Sequence, residues 1–205
     1  MKIILFRHGQ KQKIDFIGDK KSLTCLNQEG IDQITKLGNI LKTRFPELKS
    51  SQYLFTSSYA RAIQSAEIVR SIIGIKEISI VFEFQEFFPI KDFSQPEEIK
   101  EHLYAQAMID PDWIPPETNI SFNTAISSFE TKLREICITS SEETILISSH
   151  GGIIRNFVYS LEPKYRPSDD LIAGAKIHEG GYTVINYDGQ NFSVDQFDVC
   201  DHLKN

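Results

Sequence analysis

Short apolar runs alternate with segments of helical periodicity along most of this chain. The first run, residues 2–6, is cut off by Arg-His-Gly, which is typical of a buried strand that ends in a turn. Residues 28–45 then carry apolar side chains at three- and four-residue spacing, which predicts a helix. This order constrains the fold, because strands separated by helices pair in parallel within a sheet that the helices cover.

The alternation returns further along the chain. Apolar runs predict three more strands, at 53–57, 78–84 and 144–148. Helical spacing predicts helices at 60–73, ended by Gly74, at 121–138, and directly after residue 150.

The last part of the chain alternates apolar and polar residues around Asp188-Gly189, which predicts a hairpin. The predicted fold class is therefore α/β, a three-layer α/β/α arrangement whose mostly parallel central sheet has an antiparallel edge. Residues 1–205 are expected to form a single domain. Prolines interrupt residues 87–120, where we predict a lid-like insertion with a helix near 96–107.

The formal net charge of -6 argues against broad binding to nucleic acid or to acidic membranes, since both require a cationic surface. The apolar run at the start is too short for a secretory or membrane-spanning segment, so a cytoplasmic location is expected. The three cysteines are widely separated, which indicates reduced thiols rather than a disulfide framework.

Polar side chains follow the predicted strands. His8, Arg61, Glu86 and His150 each come shortly after a different apolar run. Because parallel strands present their carboxyl ends at one edge of the sheet, these side chains could meet there. A histidine at a strand end can also be a purely structural, hydrogen-bonded residue.

Chemistry on a phosphate monoester needs several groups at once: cationic donors for the phosphoryl oxygens, a nucleophile, and an acid for the leaving oxygen. Arginine suits the first role, because its planar fork binds two phosphate oxygens and stays charged. Arg7 and Arg61 are both placed for it.

Several blocks resemble the histidine phosphatase superfamily, also called the phosphoglycerate mutase-like family. Arg7-His8-Gly9-Gln10 is similar to its opening motif, and Ser149-His150-Gly151-Gly152 to its second histidine block. Residues 26–41, residues 56–69, Phe84-Gln85-Glu86 and the final GGYTVINYD also resemble family segments, in the family's order. The resemblance covers nearly the whole chain apart from about residues 87–120.

The resemblance implies roles for the matching residues. His8 would be the nucleophile, Glu86 the proton donor, and Arg7, Arg61 and His150 the phosphate pocket, with His150 acting as a cation or a donor. Gly9, Gln10 and Gly151 would also contact the substrate, Gly9 through close backbone approach and Gly151 through its amide at a helix start.

Some assignments stay open. Glu83 could replace Glu86 as the acid. Lys11 and Ile14 stand where many family members carry threonine and asparagine, and Lys11 could add charge to the pocket or simply be solvated. The usual G-E-S of the insertion is missing, with Glu117-Thr118-Asn119 near its place. The insertion's aromatic residues, Phe87, Phe88, Phe93, Tyr104 and Trp113, could pack on the sheet or stack on substrate.

The predicted function is hydrolysis of a small anionic phosphate ester, by a histidine acid-type phosphatase. A phosphoglycerate mutase-type transferase is the first alternative, although the insertion is acidic and has few cations. A phosphatase acting on protein phosphohistidine and a non-catalytic phospholigand-binding module are further alternatives. No cofactor or metal is expected, because neither histidine block offers H-x-H or H-E-x-x-H spacing.

Overall fold

The computed structural model describes residues 1–13, 22–90, 95–116, 118–168 and 176–204. Six strands are present in these residues: β1 Lys2–Arg7, β2 Tyr53–Thr56, β3 Glu77–Ile80, β4 Thr144–Ser149, β5 Tyr182–Tyr187 and β6 Phe192–Val199. The α-helices are α1 Gln28–Arg44, α2 Ala60–Ile73, α3 Glu97–Ile109, α4 Phe122–Thr139 and α5 Gly151–Leu161.

The strands form one sheet in the order β3-β2-β4-β1-β5-β6. The pairs β3–β2, β2–β4 and β4–β1 are parallel, whereas β5 and β6 add an antiparallel edge beside β1. This confirms the predicted mostly parallel sheet with an antiparallel hairpin at its edge. It also places β1 and β4, the strands that precede the two histidine blocks, side by side at the centre.

Two apolar cores cover the two faces of the sheet. In β1, Ile3 and Leu5 belong to the cluster that includes α4 and α5, while Ile4 and Phe6 belong to the cluster that includes α1 and α2. Successive side chains of a strand point to opposite faces, so a continuous apolar run is what a strand covered on both faces requires. The three-layer α/β/α architecture is thus confirmed.

The predicted strand at 78–84 is wrong in its second half. β3 ends at Ile80, and Phe82–Phe84 form a 3-10 turn. The neighbouring strand β2 ends at Thr56, whose carbonyl oxygen accepts the Val81 N–H, so no ladder partner continues beyond that point. Phe84 instead packs against Phe129 with its ring centroid 5.0 Å away. Burial in the core, rather than strand pairing, explains its apolar side chain.

Helix α2 ends at Gly74, as predicted. Gly74 has a left-handed backbone with φ of 96°, and its N–H donates to the Arg70 carbonyl. Residues with a side chain rarely adopt this conformation, which is why glycine stops the helix here.

The start of α1 packs against the loop after β1 through direct contact between the two backbones. A Cβ atom at Gly30 would lie 2.1 Å from the Gln10 carbonyl oxygen, and one at Gly9 would lie 2.3 Å from the Gly30 carbonyl oxygen. Asn27 caps α1 by accepting the Gly30 N–H at 2.8 Å, and its own N–H donates to the Gln10 carbonyl. The two glycines therefore let the loop that carries His8 rest directly on α1.

Replacing Gly30 by alanine is expected to lower the free energy of unfolding by about 2 kcal/mol and the Tm by about 5 °C, because backbone cannot yield to the new methyl group. Gly38→Ala is the matched control in the same helix. Its Cβ would meet only the Ile72 side chain, first at Cδ1, which can move. Thermal unfolding followed by circular dichroism compares the two, and equal stability of both variants would contradict the expectation.

Within the described segments, no helix is both long and apolar enough to cross a membrane.

Candidate active site

The two histidine blocks meet because β1 and β4 are adjacent and in register. Arg7 is paired with Ser149 across the parallel ladder, and the His8 N–H donates to the Ser149 carbonyl at 3.1 Å. The rings of His8 and His150 consequently lie with their centroids 5.2 Å apart, at an angle of 65°. The structure thus brings together two imidazoles that are far apart in the chain.

Hydrogen bonds define the tautomer of His8. Nδ1 lies 2.7 Å from the Gly9 carbonyl oxygen, which can only accept, so Nδ1 carries the proton. The Arg61 Nε–H donates to Nε2 at 3.0 Å, so Nε2 presents a lone pair. Burial, with Arg61 and Arg7 adding to it, lowers the pKa of His8 well below its ordinary value. His8 is therefore a neutral imidazole whose Nε2 lone pair accepts a hydrogen bond from a cation.

Arg61 is the second residue of α2 and is buried. Its guanidinium lies 4.9 Å from the ring centroid of Tyr59, a cation–π contact. The hydroxyl of Ser65 donates to the Arg61 carbonyl at 2.7 Å and accepts the Gly9 N–H at 3.3 Å. Ser65 thereby ties the helix of Arg61 to the loop of His8. Sequence reasoning did not single it out, although it lies within a block that resembles the family.

Arg7 is held by protein oxygens. Its Nη1 donates to the Ile177 carbonyl, and its Nη2 donates to Glu179 Oε1 at 3.1 Å. Its Nε is buried and has no hydrogen-bond partner among the described residues. Each terminal nitrogen of Arg7 thus already donates one hydrogen bond to a protein oxygen. Nothing in the local sequence around Glu179 pointed to this ion pair.

His150 occupies the N-cap position of α5, without a side-chain capping hydrogen bond, and is fully buried. Its Nε2 lies 2.7 Å from the Ser57 hydroxyl, and its buried Nδ1 has no partner among the described residues. Burial is the largest cause, and Arg61 the second, of a pKa well below the ordinary histidine value. This lowering favours the neutral ring, a hydrogen-bond donor, over the cation; both expected roles of His150 stay predictions.

Glu86 approaches the second histidine block from the loop after the 3-10 turn, not directly from a strand. Its Oε2 accepts the Gly152 N–H at 2.9 Å, and its buried Oε1 has no partner among the described residues. A Cβ atom at Gly152 would lie 2.4 Å from Oε1, so this glycine makes room for the carboxyl group. Burial raises the pKa of Glu86, while the Gly152 hydrogen bond and Arg61 oppose the rise.

Glu83, the alternative acid, is exposed. It lies within the 3-10 turn and also lines the cavity next to Glu86. Of the two carboxyl groups, only that of Glu86 combines burial with a hydrogen bond to the second histidine block. The geometry therefore favours Glu86 over Glu83 as the acid.

The remaining predicted substrate contacts, Gly9, Gln10 and Gly151, have packing or hydrogen-bonding roles within the protein. A Cβ atom at Gly9 would meet the Gly30 backbone, so this glycine permits close packing of two backbone segments; its approach to a ligand stays a prediction. A Cβ atom at Gly151 would lie 3.0 Å from Arg7 Nε, so this glycine accommodates the arginine. Gln10 receives a hydrogen bond from Asn27 and donates its N–H to Gln33 Oε1 at 2.8 Å, which secures α1. Substrate contacts by these residues stay predictions.

Lys11 is exposed to solvent as a residue, yet neighbouring protein atoms partly desolvate its ammonium group, and this, followed by the charge of Arg61, lowers its pKa. Lys11 thus lies near Arg61 and Arg7, two cations of the predicted phosphate pocket. Ile14, Phe93 and Glu117, three residues considered in the sequence, lie outside the described residues.

A cavity of about 640 Å³ reaches residues that contact the second histidine block, although neither His8 nor His150 lines it. Glu86 and Tyr59 line it, and the ring of Tyr59 also contacts His150 at a centroid distance of 4.9 Å. Apolar side chains supply much of the remaining wall: Phe82, Phe87, Phe88, Ile90, Ile120 and Ile153. The 87–120 segment therefore borders this cavity, while its roles as a lid and in substrate choice stay predictions.

The insertion's aromatic residues divide between the two expected roles. Phe87 is buried and packs on Phe122 at a centroid distance of 4.9 Å, and Trp113 packs against the same core. Phe88 instead lies along the cavity with its ring nearly parallel to Tyr59, at 7° and a centroid distance of 6.1 Å.

In the part of the chain that the structure describes, no cluster of three or more His, Cys, Asp or Glu side chains could hold a metal ion.

Comparison with known proteins agrees with this geometry. An uncharacterised phosphoglycerate mutase family protein of Acanthamoeba polyphaga mimivirus is 24% identical over 186 residues, which cover 86% of this chain and 85% of that protein. YhfR of Bacillus stearothermophilus has a similar structure, with a TM-score of 0.75, 21% identity and 99% coverage of both chains.

Two structures whose names state an activity are also similar. Mycobacterial glucosyl-3-phosphoglycerate phosphatase has a TM-score of 0.73 at 14% identity, covering 96% of this chain and 98% of its own. The alpha-ribazole phosphatase of Shigella flexneri has a TM-score of 0.71 at 20% identity, covering 97% of this chain and 96% of its own. At these identities the likeness shows the fold.

The model of the histidine phosphatase superfamily (branch 1) matches residues 3–199, nearly the whole chain. The shared fold and the convergence of Arg-His-Gly with Ser-His-Gly agree with that match. The chain belongs to the histidine phosphatase superfamily.

Proposed function

We propose that this protein is a phosphomonoesterase that transfers the phosphoryl group of a small anionic phosphate ester to His8 and then to water. The observation that carries the proposal is the tautomer of His8. Its Nδ1–H is held by the Gly9 carbonyl, so the Nε2 lone pair points toward Arg61, where a phosphoryl group would be bound. A neutral imidazole in this orientation is a competent nucleophile.

In the first step, the Nε2 lone pair attacks phosphorus and the bond from phosphorus to the ester oxygen breaks. Protonated Glu86 gives its proton to the departing oxygen, so the alcohol leaves neutral. Arg61, Arg7 and the neutral His150 stabilise charge on the phosphoryl oxygens as donors fixed in position.

In the second step, water attacks the phosphohistidine. Glu86, now a carboxylate, accepts the proton of the water, and the bond from Nε2 to phosphorus breaks. Inorganic phosphate leaves, and both His8 and Glu86 return to their starting protonation states. The cycle uses residues of this chain only, so we propose that it requires neither a metal nor a cofactor. Nucleic acid and membranes are not proposed as partners, and the cytoplasmic location remains a prediction.

The phosphatase proposal is tested by measuring release of inorganic phosphate from sugar phosphates, phosphoglycerates, nucleotides and phosphoamino acids, with a chelator present. We expect phosphate and alcohol in equal amounts from at least one ester. Isomerisation of 3-phosphoglycerate, primed by its bisphosphate and without phosphate release, would instead establish a mutase. Silence toward every ester combined with intact phosphate binding would favour a binding module. Activity that returns only with a divalent ion would contradict metal independence.

A further inference from the structure

The cavity and the phosphoryl site share two residues. Glu86 lines the cavity and lies against the second histidine block, and Tyr59 lines the cavity and contacts His150. The acid of a phosphatase must touch the oxygen that leaves with the alcohol. If Glu86 is that acid, the alcohol part of the substrate passes Glu86 and enters this cavity.

The charged groups on the cavity wall are all of one sign. Among the described lining residues, Glu83 and Glu86 are the acidic side chains, and lysine, arginine and histidine are absent. Glu86 is uncharged when it acts as the acid, so Glu83 is the carboxylate of this wall. A leaving group with its own carboxylate or phosphate would lie beside these acids without a counter-ion. Burying such a charge is costly, and like charges in proximity add repulsion, so the wall selects against anionic alcohols.

The apolar part of the wall suits a ring or a branched chain. Phe88 is half-buried and stacks on Tyr59, while Ile120 contributes an aliphatic surface. A cavity of about 640 Å³ lies within the usual size range of small-molecule sites, which is roughly 300–1,000 Å³. Contact with these surfaces stabilises a ligand in proportion to the apolar area that it removes from water.

We propose that this cavity binds the leaving group, and that the substrate is the phosphate ester of an uncharged, predominantly apolar alcohol, with an aromatic ring or a bulky aliphatic group. This rests on the proposed phosphatase function and specifies its substrate class. The phosphoryl group binds at His8 and Arg61, Glu86 protonates the ester oxygen, and the apolar group lies against Phe88 and Ile120.

The test compares esters of primary alcohols, so that leaving-group chemistry stays similar: 2-phenylethyl phosphate, ethyl phosphate and 3-phosphoglycerate. For the wild-type protein, kcat/KM for 2-phenylethyl phosphate is expected to exceed that for ethyl phosphate about 30-fold, the gain from burying one ring. 3-Phosphoglycerate is expected to be a poorer substrate than ethyl phosphate, because of its carboxylate.

Two variants locate the preference in the cavity. Phe88→Ala and, separately, Ile120→Gln are each expected to lower the ratio of kcat/KM between 2-phenylethyl and ethyl phosphate, by about tenfold for Phe88→Ala. Ile120 is 43% exposed, so its replacement should leave folding intact. Ile114→Ala is the control: Ile114 belongs to the same segment, is 56% exposed and does not line the cavity, so the ratio should stay unchanged.

Three results would overturn the proposal. A higher kcat/KM for 3-phosphoglycerate than for 2-phenylethyl phosphate would do so, and so would equal values for all three esters. A ratio that neither cavity variant changes would place the preference elsewhere. In each case the protein would still be a phosphatase. Failure to release phosphate from any ester would overturn the phosphatase function as well, so the two failures are distinguishable.

Discussion

His8→Ala is expected to reduce kcat for every phosphate ester by about 10,000-fold or more, because loss of a nucleophile removes the covalent route altogether. Folding should persist, since the loop of His8 is also held by Gly30 and Ser65. The measurement is phosphate release under single-turnover conditions, compared with the wild-type protein.

The intermediate provides a second readout of the same change. Wild-type protein quenched in alkali after mixing with ³²P-labelled ester should carry acid-labile radioactivity, as expected of a phosphohistidine, and His8→Ala should carry none. His102→Ala is the control, because His102 is an exposed residue of α3 that the mechanism does not use. Retention of activity within tenfold by His8→Ala would exclude His8 as nucleophile.

Glu86→Gln is expected to reduce kcat for alkyl esters by about 1,000-fold, because general acid catalysis typically contributes between 100-fold and 10,000-fold. In the first step alone, followed as the burst of leaving-group release, the loss should be much smaller for dinitrophenyl phosphate, whose leaving oxygen needs no proton. Hydrolysis of the phosphohistidine should slow equally for every ester, because Glu86 also accepts the proton of the water. Glutamine can still accept the Gly152 N–H, so the loop should keep its position. The measurement is the first-step rate of both proteins for a series of esters, and the ratio between them should rise with the basicity of the leaving group.

Glu83→Gln is the matched control, three residues earlier in the chain, and it should retain alkyl-ester hydrolysis. If the alkyl-ester activity is lost in Glu83→Gln and kept in Glu86→Gln, then Glu83 is the acid.

The dependence of activity on pH tests the roles of Glu86 and His8 together. Glu86 acts when protonated, and burial raises its pKa, so activity on alkyl esters should fall as pH rises through that raised value. His8 acts when neutral, and burial lowers its pKa, so activity should fall only when pH drops below that lowered value. Both shifts widen the pH range in which neutral His8 and protonated Glu86 coexist, with the pKa of His8 bounding it on the acid side and that of Glu86 on the alkaline side. Glu86→Gln should lose the alkaline limb with alkyl esters.

Much of the site could be predicted because strand ends carry a strong sequence signal. The apolar runs before His8 and His150 mark buried strands, and parallel strands place their carboxyl ends together. The pairing of β1 with β4 confirms that logic, and the resemblance of both histidine blocks to one family points to the same edge of the sheet.

The position of Glu86 shows where such reasoning fails. The apolar run before it predicts a strand through residue 84, yet β3 and its partner β2 both end at the Thr56–Ile80 pair. An apolar run shows that side chains are buried but does not show which backbone partner is available. The burial of Phe84 and the hydrogen bond from Gly152 then bring Glu86 inward.

The sequence by itself determined the layer architecture, the helix ends such as Gly74 and the residue types of the phosphate chemistry, because these depend on local periodicity and on functional groups. Only the tertiary structure decided the tautomer of His8, the burial of His150, the engagement of Arg7 by Glu179 and the apolar wall beside Glu86. Those properties arise from hydrogen-bond partners and desolvation supplied by segments distant in the chain. Such contacts exist only once the strands and helices have packed.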